Sequence, residues 1–171
     1  TFGRGAYILD DYSALRDVTP QALAEEGHLF PLRDAYMFDV LGQVEASWGD
    51  PTTPNPPYGA VFTYSVGQPP AGDAKLVLTI ADDAGKQIRR LELAKDTGVH
   101  RIAWDLRGEA PAAGQGAGRG ERGAGGETQE PAQGFGRGRQ GGPPAAAGRY
   151  RATLGKLTGD TVTPIGQPQS F

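Results

Sequence analysis

The sequence predicts an all-β protein built around a β-sandwich, and three observations lead there. From residue 59 onward, apolar residues recur at every second position in segments of strand length. Turn residues punctuate those segments about every ten positions. With 27 Gly, 14 Pro and 37% apolar residues, much of the chain is turn or loop rather than buried structure. Its 171 residues leave room for one good core or two small ones.

From the N-terminus, Gly3-Arg4-Gly5 opens a short strand, Ala6–Leu9, that stops at Asp10-Asp11. Apolar side chains at consecutive positions suit a strand buried on both faces, and one such strand is not stable without sheet partners. Thr19-Pro20 is a helix start, with Thr19 as N-cap and Pro20 at the first helical position. The helix is expected over Pro20–Glu26, ended by Gly27. Leu29–Phe38 is an apolar segment expected to hold one more short strand. Residues 49–57 contain four prolines and two threonines, a linker that fits neither a helix nor a central strand.

The period of two begins at Gly59–Val66, which puts Val61, Thr63 and Ser65 on one face and Phe62, Tyr64 and Val66 on the other. Ala74–Ile80 aligns Leu76, Leu78 and Ile80. Asp82-Asp83-Ala84-Gly85 is a hairpin turn with Gly85 where a positive φ is expected. In Gln87–Leu93 the alternation breaks at Arg89-Arg90, the mark of a bulge or an edge strand. Val99–Leu106 directs His100, Ile102, Trp104 and Leu106 one way and Arg101, Ala103, Asp105 and Arg107 the other. Arg149–Leu157 and Thr161–Ile165 supply the last two strands.

Between them, residues 108–148 lose all periodicity and hold 14 of the 27 glycines. Phe135 is the one aromatic residue there, and no β-branched aliphatic is present. Such a stretch buries too little surface to offset its ordering entropy, so a disordered insert is expected. A long loop between two strands is tolerable because closure entropy grows slowly with length.

The bulk numbers exclude several function classes. A formal charge of -3 gives no general pull toward nucleic acid or an acidic membrane, and no run has the roughly eighteen apolar residues of a membrane span. The absence of cysteine removes disulfides, thiolate metal sites and thiol nucleophiles. The chain opens Thr1-Phe2-Gly3-Arg4 and reads as a piece of a longer protein, whose targeting signal would lie upstream.

No catalytic, cofactor-binding or metal-ligating residue is expected. Asp10 and Asp11 are a candidate pair for glycoside hydrolysis, but neighbours on a strand point to opposite faces, which favours a structural role accepting N–H bonds. His28 and His100 have no ligand spacing around them. Ser13, Ser47, Ser65 and Ser170 lack the G-x-S-x-G context. Trp104 is in register with Ile102 and Leu106, so it reads as core rather than as a sugar-stacking platform; Trp48 and Tyr58 flank the linker. The insert's Arg119, Arg122, Arg137 and Arg139 resemble an RNA-binding tract, yet Glu109, Glu121, Glu127 and Glu130 cancel them, and counterion release needs net positive charge.

Several segments together resemble a known family. Gly3-Arg4-Gly5-Ala6-Tyr7-Ile8-Leu9-Asp10-Asp11, Leu15-Arg16 and Ala24–Phe30 resemble the end of the propeller in large exported bacterial proteins with sortilin-like or BNR-type repeats. Asn55–Ala60, Gly98–Arg107 and Pro144–Leu154 are similar to successive parts of their C-terminal module, itself similar to the Ig-like domain of the flagellar hook-capping protein. The resemblance implies an Ig-like (fibronectin-III-like) β-sandwich preceded by the last strand of a β-propeller. Residues 1–48 would be the propeller end and a connecting segment, 49–57 the linker, and 58–171 the sandwich. Members are commonly labelled glycosyl hydrolases, but the S-x-D-x-G-x-x-W box of propeller blades is absent from this chain.

The function so implied is a non-catalytic accessory module, secreted, periplasmic or at the cell surface. Its partners would be its own propeller and a carbohydrate or cell-surface ligand, with no nucleic acid, membrane span or cofactor. The second reading is a propeller glycoside hydrolase whose catalytic residues lie upstream of residue 1.

Overall fold

Alternation of apolar side chains at every second residue lets a strand bury one face, and two such faces meet here. The computed structural model describes residues 11–38, 56–110 and 142–171. One sheet has three strands in the order β1 (Gly27–Leu29), β2 (Ala60–Val66), β5 (Gly98–Trp104), all antiparallel. The other runs β4 (Gln87–Leu93), β3 (Lys75–Asp82), β6 (Tyr150–Thr158), β7 (Thr161–Pro164), with β8 (Gln169–Ser170) also paired to β6. Among the described residues, the helical content is a 3-10 turn, Ser13–Arg16, and α1 (Pro20–Ala24). The all-β reading therefore stands.

Between the sheets lies one core. Ala60, Phe62, Tyr64, Val66 and Trp104 come from the first sheet, and Leu76, Leu78, Ile80, Leu93, Ala152 and Leu154 from the second. Trp104 is fully buried, as its register predicts, and its Nε1 donates to the Arg107 carbonyl at 2.7 Å. Tyr150 and Phe171 meet its ring edge-on at 5.4 and 6.2 Å. The turn at Gly85 also follows expectation: its φ is 79° and its N–H donates to the Asp82 carbonyl at 2.9 Å. Gly59 is dictated by packing as well as by its φ of 104°, since a Cβ there would lie 1.9 Å from the Trp104 carbonyl oxygen.

β2 is buried on its other face too, because Thr63 and Ser65 are covered. The cover is the segment before β1. Ala14, Ala22 and Phe30 form a second small cluster with Val18 against it, and the Ser65 hydroxyl donates to the Ala22 carbonyl at 3.2 Å.

Three boundaries differ from the sequence reading. The helix ends at Ala24 rather than Glu26, because Glu25 and Glu26 turn their carbonyls to the N–H groups of Gly67 and Gln68. Gly27 is accordingly no helix stop; it starts β1, where a Cβ would press on Leu154 at 2.9 Å. The strand expected within Leu29–Phe38 does not form: residues 30–38 hold no strand, and β1 lies ahead of them over Gly27–Leu29, sharing only Leu29 with that segment. Pairing continues one residue further, from Phe30 N–H to the Thr63 carbonyl, and stops at Pro31, which has no N–H to donate. Residues 27–29, within the stretch assigned to the propeller end, thus belong to the sandwich sheet.

The third difference concerns the insert. Residues 108–110 and 142–148 are not structureless. Ala145 N–H donates to the Leu106 carbonyl, Gly108 N–H to Pro143, and Gly142 N–H to Gly108, at 2.8 to 3.0 Å. These bonds zip the neck of the insert shut. Its remainder, residues 111–141, lies outside the described residues, as do Ala6–Leu9, Asp10, Ser47, Trp48 and residues 49–55 of the linker. The Arg89-Arg90 break corresponds to both alternatives. β4 is an edge strand, and the register steps from Ile80↔Arg89 to Ala81↔Gln87, leaving Ile88 unpaired.

Two outcomes test this packing. Trp104→Ala is expected to lower unfolding stability in urea by about 3–5 kcal/mol; a loss under about 1 kcal/mol would place the ring outside the core. Replacing residues 111–141 by Asn-Gly is expected to leave the melting temperature within a few degrees, because the neck already closes the loop. Loss of cooperative melting would show that the sandwich depends on the insert.

Candidate functional site

The acidic candidate Asp11 is held as a turn residue. Its Oδ1 accepts the Ser13 N–H at 2.9 Å and the Ser13 hydroxyl at 2.6 Å, fixing the start of the 3-10 turn. Arg33 lies 3.8 Å from the same oxygen, and the Arg101 guanidinium donates to the Asp11 backbone carbonyl at 3.2 Å. The Ser13 bonds first, and then the two guanidinium groups, hold its carboxyl below the usual carboxylate range. A general acid for glycoside cleavage needs the opposite shift. Asp11 is an anchor.

The histidines do not converge. His28, opposite Ser65 on the covered outer face, bonds Glu25 at 3.0 Å and packs on Phe30. His100, opposite Tyr64, faces inward, stacks on that ring at 5.3 Å and bonds the Asp96 carbonyl at 2.7 Å. They occupy opposite faces of one sheet. Burial, with Asp96 nearby, pushes the Tyr64 phenol up, and its hydroxyl donates to the Ala94 carbonyl. Among the described residues, no group of three or more His, Cys, Asp or Glu side chains could hold a metal ion. Ser13 and Ser65 spend their hydroxyls on Asp11 and Ala22. Glu109 accepts the Arg90 N–H at 3.3 Å; the insert's arginines lie outside the described residues. Nor does any helix among the described residues have the length and apolarity to cross a membrane.

Among the described residues, two surfaces stand out. One is the cap formed by residues 11–24, whose outward side exposes Tyr12, Leu15 and Leu23. The other is a cleft of about 780 Å³ at the end of the sandwich where β3 and β5 finish and β6 begins. It is lined by Tyr36 and Met37, by the turn residue Asp83, by the strap 145–148, and by Tyr150 and Phe171. Trp104 contributes to its lining from below the surface. Tyr58 packs partly buried against the core, edge-on to Phe38 at 5.1 Å. Sequence reasoning missed this cleft; the run Tyr36-Met37-Phe38, bulky and without alternation, was its one local signal.

Because the Asp11 carboxyl is lowered in the folded chain, it adds stability above the ordinary carboxylate pKa and loses it as pH falls through the folded value. Asp11→Asn is therefore expected to flatten the decline of the urea midpoint below about pH 4. An unchanged acid profile would mean that the Ser13 bonds do not persist in solution.

Compared with known proteins, the chain matches no protein family, no curated protein and no solved structure.

Proposed function

We propose that this chain is the non-catalytic C-terminal accessory module of an exported propeller protein: an Ig-like sandwich that packs against the propeller end preceding it and serves surface or partner attachment. One observation carries the reading. The chain arriving at Asp11 is tied to Arg101 of β5 and to Arg33, and residues 11–24 then lie over the outer face of the three-stranded sheet. The N-terminal end of the cap thus lies on this face of the sheet, which supports docking of a preceding domain there.

The cap supports the same reading. Its outward Tyr12, Leu15 and Leu23 are 48%, 51% and 39% exposed, an apolar surface of the kind that neighbouring domains cover. Asp11 is committed to a turn, and the two histidines face apart, which supports a module that binds rather than reacts. The buried Trp104 and the two packed antiparallel sheets favour the Ig-like assignment.

Hydrogen exchange on the longer reading-frame product and on residues 1–171 tests the docking. The amides of residues 14–23 are expected to gain protection in the longer chain, and equal protection would refute a docked neighbour. In parallel, residues 1–171 are expected to leave β-glucans unhydrolysed. Turnover by this chain would overturn the non-catalytic reading.

A further inference from the structure

The cleft at the end of the sandwich takes no part in the docking role of the cap, and its lining has a consistent chemistry. Tyr36 offers a ring that is 76% exposed, and Tyr150 and Phe171 add the rim of the aromatic cluster. The lining also includes two acidic residues, Asp34 and Asp83, and two arginines, Arg149 and Arg151. Among the described residues none of these four forms an ion pair with another. The charges cancel, so neither an anion nor a cation is favoured.

A purely apolar ligand would strip water from four charged groups without replacing their hydrogen bonds, which is costly. A neutral, hydroxyl-rich ring meets both halves of the lining. Its C–H face packs on a tyrosine ring, and its hydroxyls donate to carboxylates and accept from guanidinium groups. The volume of about 780 Å³ falls in the roughly 300–1,000 Å³ range of small-ligand sites.

The wall formed by the strap, Tyr150 and Phe171 is also fixed in advance. Ala145 N–H bonds the Leu106 carbonyl at 2.8 Å, the Tyr150 hydroxyl bonds the Ala146 carbonyl at 2.5 Å, and Tyr150 and Phe171 exchange backbone bonds at 2.9 and 3.1 Å. A preformed wall avoids the entropy of ordering that part of the site on binding. We propose that this cleft binds a neutral oligosaccharide, held by stacking on Tyr36 and Tyr150 and by hydroxyl contacts to Asp34, Asp83, Arg149 and Arg151. The proposal is independent of whether a propeller precedes the sandwich.

Two-dimensional NMR of the 171-residue chain, titrated separately with cellohexaose and xylohexaose, tests it. At least one sugar is expected to shift the amides of Ala145–Tyr150 and Phe171 saturably. Tyr36→Ala should weaken that binding roughly three- to tenfold, and Asp83→Ala should weaken it as well. Lys75→Ala, at the far end of β3, should leave it unchanged. No saturable shift at about 10 mM of either sugar overturns the proposal. So do shifts confined to other surfaces, tighter binding of a heparin hexasaccharide, or cleft binding that Tyr36→Ala leaves intact while the spectrum stays dispersed.

Discussion

A fully buried indole obliges this chain to make the turn that follows it. The Trp104 N–H has to find an acceptor inside the protein, and it reaches the Arg107 carbonyl at 2.7 Å. Making that bond folds residues 105–107 back on themselves. Asp105 holds the Arg107 N–H at 3.2 Å, and Leu106 is driven to a φ of 57°. A leucine in the left-handed region costs of order 1–3 kcal/mol, about what an unpaired buried N–H would cost. Bond and strain therefore nearly offset, and the apolar burial of the ring decides the sum.

The same turn sets the geometry of distant segments. It aims the Leu106 carbonyl at Ala145 and brings Gly108 to Pro143, so the two sides of the insert's neck meet where β6 starts. Tyr150 and Phe171 then close on the indole from the second sheet. On the other side, the Trp104 carbonyl lies so near residue 59 that no side chain fits there. One residue thereby constrains the start of β2, the neck and the C-terminus.

Six strands could be read from the sequence: β2, β3, β5 and β6 from an alternation that reports a face in the core, and β4 and β7 from their place between turn signals. Trp104 was legible from that alternation, and Gly85 because its turn needs a positive φ. β1 was not, since Gly27-His28-Leu29 is too short for a period and a glycine after a capped turn of helix looks like a stop. It is a strand because Ser65 and Tyr64 lie opposite it and Leu29 has a place in the core. Of Asp11, the turn-anchoring role could be anticipated, while Arg33 and Arg101 reach it only through the fold. The cleft was invisible for a related reason. Its residues come from 34–37, 83, 104, 106, 145–151 and 170–171, and the strap among them reads as low-complexity sequence.

The cap and the cleft differ in what keeps them in place. A four-residue 3-10 turn and a five-residue helix are far below the length at which helices persist unaided. The cap is held through Thr19 capping Ala22, the Ser65 hydroxyl on Ala22, Gly67 on Glu25 and an ion pair from Lys156 to Glu26. All but the first come from strands of the sandwich or residues just beyond them, so a load on the cap is transmitted to both sheets. The cleft instead stands on the Trp104 turn and the C-terminal pairing, and shares no residue with the cap. Because the two surfaces hang on separate sets of bonds, covering the cap with a neighbouring domain leaves the bonds that shape the cleft unchanged.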